Sequence, residues 1–119
     1  MQFMMLIYHQ EADWSKKSAA DREAMYREYR EFRQNIVNDG QFRAGSELAP
    51  VSSATTVRIR EGKRQVTDGP FVETKEQLGG YFLIEARSFD EAIAIAAKIP
   101  SASVGSIEVR PIVEHNQPS

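Results

Sequence analysis

The tripeptide Asp68-Gly69-Pro70 is the sharpest local candidate for chemistry. One interpretation is structural: an Asp that accepts backbone N–H groups, a Gly with an unusual φ and a Pro that fixes the next φ together make a tight turn. The other is functional, with the Asp68 carboxylate at the mouth of a pocket as a general base or polar anchor. We favour the turn, which still leaves the carboxylate a lone pair for a ligand.

Histidine and tyrosine side chains supply the other candidate acids and bases. His9 follows an apolar segment, where an imidazole either reaches a cleft as a base or lies at the surface as a hydrogen-bonded group. Tyr8 and Tyr29 either line one cavity or pack in the core with satisfied hydroxyls. The only other histidine is His115, and two histidines without converging carboxylates make no metal motif. We therefore predict Asp68, Tyr29 and His9 as catalytic candidates and no metal.

Three further residues are candidate ligand contacts. Trp14 lies in the polar segment EADWSKK, where it is either a lid over a cavity or a dimer contact. Glu73 and Lys75 belong to the segment ETKE (73–76), whose charged side chains we expect to be solvated at the surface. Its acids would suit the start of a helical turn. Alternatively, Lys75 could bind an anionic ligand. Together with Tyr8, these residues are the predicted ligand-binding set.

Composition limits the classes of function. The 119 residues fit one domain, predicted as 1–113 with a flexible tail at 114–119. A net charge of −2 and a single basic cluster, RIREGKR (58–64), argue against a nucleic-acid partner. The apolar start is too short to span a bilayer, and the absence of cysteine agrees with a reducing cytoplasm. No phosphate-binding loop or nucleophile elbow is present, so we expect no cofactor.

The elements that must position these side chains follow from periodicity. Residues 2–8 are apolar on both alternating faces, which predicts a central strand. Ser18 is a helix N-cap with an acid three residues later, and Asn38-Asp39-Gly40 is a C-cap. Between them, one apolar stripe recurs at helical spacing. Its members are Met25, Tyr29, Phe32 and Ile36.

The second half of the chain shows the same kinds of pattern for strands and for a capped helix. Residues 42–50 predict a short irregular strand that leads into a loop with Pro50, 55–67 a hairpin, and 80–86 a second apolar strand, which Gly79-Gly80 allow to begin. Ser88 caps a helix that Pro100 ends, and residues 103–115 are the predicted last strand. The inward residues of that helix are predicted to be Ala92, Ile93, Ala96 and Ala97. Phe71 and Leu78 are expected to pin the intervening segment to the core.

The order predicts an α+β fold, a ferredoxin-like split βαβ with an added hairpin and an antiparallel sheet. Helices cover only one face of such a sheet, yet the strands are apolar on both. Packing between two copies would bury the other face, so we expect a homodimer that forms a dimeric α+β barrel.

The segment VTDGPFVETKEQLGGYFLIE (66–85) closely resembles the signature of the DGPF-domain branch of the YCII-related family. FMMLIYH (3–9), GQFRAGSEL (40–48) and the ending DEAIAIAAKIP…IEVRPI add to the resemblance, which covers nearly the whole chain. It implies the dimeric barrel and, by analogy only, a link to extracytoplasmic-function sigma factors.

This chain departs from other YCII-like relatives at two positions that are thought to matter for catalysis. YCII-like relatives outside this branch are thought to use a His on the first helix and an Asp beside the Pro that ends the second. Those places fall near Tyr29 and Ile99 here, and this pair cannot reproduce a His–Asp pair. That catalytic scheme is therefore in doubt for this chain.

Two functional classes remain. We expect a small-molecule binding or regulatory domain. The alternative is a cofactor-independent enzyme for proton transfer, isomerisation or elimination on a small cyclic or aromatic substrate. In the alternative, Asp68 or His9 would be the base and Tyr29 the acid.

Overall fold

A computed structural model of the chain describes residues 1–115. The predicted tail, 114–119, lies mostly outside these described residues. The three helices are α1 (Glu11–Lys16), α2 (Ala19–Asn38) and α3 (Phe89–Ala96). The six strands are β1 (Gln2–His9), β2 (Phe42–Glu47), β3 (Thr55–Arg60), β4 (Lys63–Asp68), β5 (Gln77–Glu85) and β6 (Ser106–Pro111). Short 3-10 turns occupy Val51–Ser53 and Pro100–Ser103.

The strands form a four-stranded antiparallel sheet in the order β2-β5-β1-β6, and β3 and β4 form a separate hairpin. β1 lies between β5 and β6 and runs antiparallel to both. This order and direction are those of the ferredoxin-like split βαβ with an added hairpin, so the predicted α+β fold is confirmed.

The core lies between one face of the sheet and the helices. Side chains alternate along β1, and those at Phe3, Met5 and Ile7 are buried beneath α2 and α3. α2 contributes Phe32 and Ile36, and β5 contributes Phe82 and Ile84. Met4, Leu6, Tyr8 and Leu83 point to the opposite face of the sheet, where they are only half-buried.

Three predicted elements differ from the structure. The segment containing Trp14 forms α1 instead of a loop, because it lacks Gly and Pro and its first-turn acids, Glu11 and Asp13, suit a helix N-terminus. β5 begins at Gln77, three residues before the predicted start at Gly80, and so contains both Gly79 and Gly80. In the second long helix, Ile93 and Ala97 are exposed although both were expected to face inward, and Ile95 is buried instead, because the core-facing stripe runs through Ala92, Ile95 and Ala96.

The turn after β4 has the predicted backbone but not the predicted Asp contacts. Gly69 has a φ of 96°, its N–H donates to the Ala54 carbonyl at 2.7 Å, and its own carbonyl accepts from Thr56 Oγ1 at 2.8 Å. Among residues 1–115, the Asp68 carboxylate makes no hydrogen bond. Phe71 is 74% exposed, so the expectation that it pins this segment to the core is wrong for the single chain. Within the described residues, no helix is long and apolar enough to cross a membrane.

Candidate functional site

The apolar stripe of α2 divides into two parts with different environments. Phe32 and Ile36, in the C-terminal half, are buried against the sheet. Met25 and Tyr29, in the N-terminal half, are only half-buried and line a cavity of about 810 Å³. This cavity, which we call the cleft, lies between α2, α1 and the ends of β1, β2 and β5. The core therefore closes under one half of α2 and leaves a pocket under the other half.

Tyr29 and Ser101 share a hydrogen bond in the cleft. Their hydroxyl oxygens lie 2.5 Å apart, and the Tyr29 ring stacks on Phe82 with 6.4 Å between ring centroids. Burial raises the pKa of Tyr29 above its usual value; the hydrogen bonds to Ser101 lower it, and the charge of Glu47 raises it further. Tyr29 is therefore protonated at neutral pH, and either hydroxyl of the pair can be the hydrogen-bond donor.

A second polar pair lies near the first. Tyr26 is three residues before Tyr29, on the same side of α2, and its hydroxyl donates to Glu47 Oε1 at 3.0 Å. Burial, followed by the hydrogen bond to Glu47, raises the pKa of Tyr26. The cleft thus holds two tyrosines three residues apart on α2; the hydroxyl of one is hydrogen-bonded to a serine and that of the other to a carboxylate.

An aromatic row forms a further wall of the cleft. The Trp14 indole meets the Tyr26 ring edge to face, with 5.5 Å between centroids, and lies 6.5 Å from the His9 ring in a similar arrangement. Flat π-surfaces like these bind planar apolar groups. Trp14 therefore lies on the wall of the cleft, and its role in ligand binding stays a prediction.

The Glu11 side chain fixes α1 beside the cleft. Glu11 Oε1 accepts from the Val51 N–H at 2.9 Å, and the Glu11 N–H donates to Gln77 Oε1 at 3.0 Å. These contacts tie α1 to β5 and to the turn before β3. A helix of six residues is too short to be stable alone, so these contacts and the packing of Trp14 hold it.

His9 enters the cleft through a gap that a glycine leaves. A Cβ on Gly79 would lie 2.3 Å from His9 Nε2, which no side chain tolerates without movement of the imidazole. The pairing of β1 with β5 also shifts at this point, between Ile7 and Tyr8. The bulge and the glycine together allow the ring to sit over β5 among the cleft residues.

The chemistry of the cleft is that of hydrogen bonding and aromatic packing. It offers the tyrosine and serine hydroxyls, the His9 imidazole and the Glu47 carboxylate, with Arg30 and Arg33 also on its lining. Within residues 1–115, no group of three or more His, Asp or Glu side chains is placed to hold a metal ion.

Four of the predicted site residues lie elsewhere. Tyr8 does not share the cavity with Tyr29, because alternation along β1 turns its side chain to the opposite face of the sheet. Asp68 is exposed at the end of β4, and Glu73 and Lys75 are exposed in the irregular segment that follows, where the expected helical turn does not form. The structure brings together His9, Trp14 and Tyr29 from the predicted set.

Sequence reasoning missed the partners of the tyrosines. Ser101 lies 72 residues from Tyr29, and Glu47 lies 21 residues from Tyr26, so local patterns carry no sign of either pair. One signal was present: the place aligned with the relatives' Asp was near Ile99. Ile99 itself is buried in the core at 2% exposure, but Ser101, two residues later, meets Tyr29.

Comparison with solved structures supports the fold. The chain is similar to 5-chloro-2-hydroxyhydroquinone dehydrochlorinase from Burkholderia phenoliruptrix AC1100, whose structure holds 2,5-dihydroxybenzoquinone. The alignment covers 97% of this chain and 96% of that chain, with a TM-score of 0.54 and 15% identity. At this identity the likeness concerns the fold alone.

Comparison by sequence gives a family. The chain is 38% identical over 114 residues to an uncharacterised protein of Rhizobium meliloti (strain 1021), a match that covers 94% of this chain and 92% of the relative. The YCII-related domain matches residues 1–116. The narrower assignment to the DGPF branch stays a prediction. The chain belongs to the YCII-related family.

Proposed function

We propose that the cleft binds a small planar molecule, an aromatic or quinonoid ring with polar substituents, and that binding is the primary function of this domain. The observation that carries the proposal is the Tyr29–Ser101 pair, placed on an aromatic wall inside a cavity of about 810 Å³. That volume is within the usual range for small-molecule sites.

The arrangement of polar groups favours a ring with substituents at separated positions. The Tyr29 hydroxyl can donate to, or accept from, one substituent. The Glu47 carboxylate, at the end of β2, accepts a hydrogen bond from Tyr26 and would suit a hydroxyl on another position of the ring. Trp14 and Tyr26 supply surface for the face or edge of the ring. The 2,5-dihydroxybenzoquinone bound by the similarly folded dehydrochlorinase has this general shape and is a suitable probe.

Calorimetric titration with 2,5-dihydroxybenzoquinone, hydroquinone and catechol tests the proposal. We expect saturable binding of 2,5-dihydroxybenzoquinone to the wild-type chain, and the other two probes show which ring substituents the binding requires. Asp68→Ala is the control for the other candidate site, and it should bind with unchanged affinity because Asp68 lies outside the cleft. A loss of binding in Asp68→Ala would move the site to the turn after β4.

A second candidate function is a cofactor-independent enzyme, and the observation that favours it is that His9 and Tyr29 line the same cleft. In an elimination, His9 would take a proton from a substrate carbon beside a carbonyl, whose oxygen Tyr29 would stabilise by donating a hydrogen bond. The electron pair released would form a carbon–carbon double bond while chloride leaves the adjacent carbon with its bonding electrons. The proton would remain on His9 until it passes to solvent.

Chloride release from 5-chloro-2-hydroxyhydroquinone distinguishes this candidate from binding alone. Turnover that falls by at least about 100-fold in His9→Gln and in Tyr29→Phe would support an enzyme with these two groups. Binding of the probes without chloride release by the wild-type chain would favour the binding function.

We also propose that the chain acts as a homodimer in which the open sheet faces of two copies pack together. The support is the row of apolar side chains, among them Met4, Leu6 and Leu83, on a face that neither α2 nor α3 covers. A regulatory output connected to extracytoplasmic-function sigma factors stays a prediction, because no contact in the chain bears on it.

A further inference from the structure

The hairpin of β3 and β4, which we call the arm (Thr55–Asp68), stands apart from the rest of the molecule. Its two strands pair with each other and with no strand of the main sheet. Every residue of the two strands except Thr56 is exposed. The described chain extends 52 × 47 × 19 Å with a radius of gyration of 16.7 Å, against about 13.5 Å for a compact domain of this length. The arm is part of an extended shape.

One face of the arm carries three apolar side chains although nothing in the described chain covers them. Val57 pairs with Val66, and Ile59, whose cross-strand partner is Arg64, lies on the same face beside them. These three side chains are 58–59% exposed. The other face carries polar and charged residues such as Arg58 and Gln65, so the arm has a solvent face and an interaction face.

The apolar face of the arm must be buried against another surface for the hairpin to be stable. A two-stranded hairpin alone is marginally stable in water and becomes stable when it packs against something else. Phe71 and Val72, just after the arm, extend the apolar surface and are 74% and 49% exposed. Five exposed apolar side chains close together in the chain mark an interaction surface.

The dimensions favour a second copy of this chain as the cover. A face of four strands spans an area on the order of 500 Å². Stable interfaces bury about 800 Å² on each partner, so packing of the open sheet faces alone falls short. One face of the arm adds on the order of 200 Å², and Phe71 and Val72 add more. The sheet face and the arm together reach the area that a stable dimer needs.

We propose that the arm is a dimerisation arm, which packs Val57, Ile59 and Val66 against a second copy of the chain. The inference rests on the homodimer under Proposed function and adds the part of the chain that makes the dimer tight. It also explains why exposed apolar side chains lie on one face of the arm only.

Sedimentation equilibrium of three variants tests the arm. The arm variant, Val57→Thr with Ile59→Thr and Val66→Thr, keeps β-branched residues and removes apolar surface. Its matched control, Arg58→Thr with Gln65→Thr, changes the opposite face. We expect the arm variant to raise the dissociation constant of the dimer at least about tenfold, and the control to change it by less than about twofold. No residue of the arm is buried, so circular dichroism should show an unchanged fold in both.

A sheet variant, Leu6→Ser with Leu83→Ser, separates the two proposals. If it weakens the dimer while the arm variant behaves like wild type, the arm inference is wrong and the sheet-to-sheet dimer stands. If only the arm variant weakens the dimer, the arm inference stands and the sheet contact fails. A monomeric wild-type chain at micromolar concentration overturns both proposals. In that case the arm could still be covered by a different protein, but not by a second copy of this chain.

Discussion

At the residue scale, the site depends on which polar side chains the fold places in contact. Tyr29 could be selected from sequence because it belongs to a helical stripe, but its partner Ser101 could not, because the contact depends on where the turn after α3 meets α2. Asp68 has the stronger local signature, yet that signature encodes a backbone turn with a positive φ at Gly69. A motif that shapes the backbone and a motif that performs chemistry look alike in one sequence.

Replacement of Tyr29 by Phe tests the buried hydroxyl pair through its pH dependence. At neutral pH we expect Tyr29→Phe to lose about 1 kcal/mol of unfolding free energy, because Ser101 loses its partner. The folded-state pKa of Tyr29 is raised, so the unfolded chain ionises first as the pH passes about 10. The stability from this group is complete below that pH and is lost as the pH rises through the folded-state pKa.

Urea unfolding from neutral pH to above pH 10 measures both effects. The gap between wild type and Tyr29→Phe should narrow at alkaline pH. Equal alkaline slopes for the two proteins would show that burial does not hold the proton on Tyr29.

At the element scale, most of the fold was predictable because the two helix caps, the apolar stripes and the hairpin are local patterns. Ser18 and Ser88 cap α2 and α3 as predicted. α1 was missed because its stability comes from Glu11 and Trp14 contacts with distant residues. The start of β5 was missed because Gly79 and Gly80 resemble a strand break. In the structure, Gly79 allows His9 to approach the strand, and Gly80 allows the β2 backbone at Ser46 to do so.

Removal of the cap at Ser88 tests how α3 is held. Ser88 Oγ accepts from the Glu91 N–H at 3.1 Å, so Ser88→Ala should cost about 1 kcal/mol of unfolding free energy. Ser15→Ala, in α1, removes an exposed serine that caps no helix and should stay within about 0.5 kcal/mol of wild type. Similar losses in the two variants, measured by denaturant unfolding, would contradict a capping role for Ser88.

At the scale of the whole molecule, the two faces of the sheet differ in what covers them. Helices close one face of the sheet over the core and leave the cleft under the N-terminal half of α2. The other face of the sheet, and the face of the arm with Val57, Ile59 and Val66, carry apolar side chains that no element of the described chain covers. Sequence predicted the need for a second covering layer from strands that are apolar on both sides, but it did not show that the arm would project.

The most direct test of the central claim is the affinity for 2,5-dihydroxybenzoquinone of the wild-type chain, Tyr29→Phe and Tyr26→Phe, measured by calorimetry. If the ring binds in the cleft on the Tyr29–Ser101 pair, Tyr29→Phe should weaken binding by about tenfold, and Tyr26→Phe should weaken it less because its hydroxyl is already held by Glu47. Absence of saturable binding to wild type, or equal affinity in wild type and Tyr29→Phe, would contradict the account.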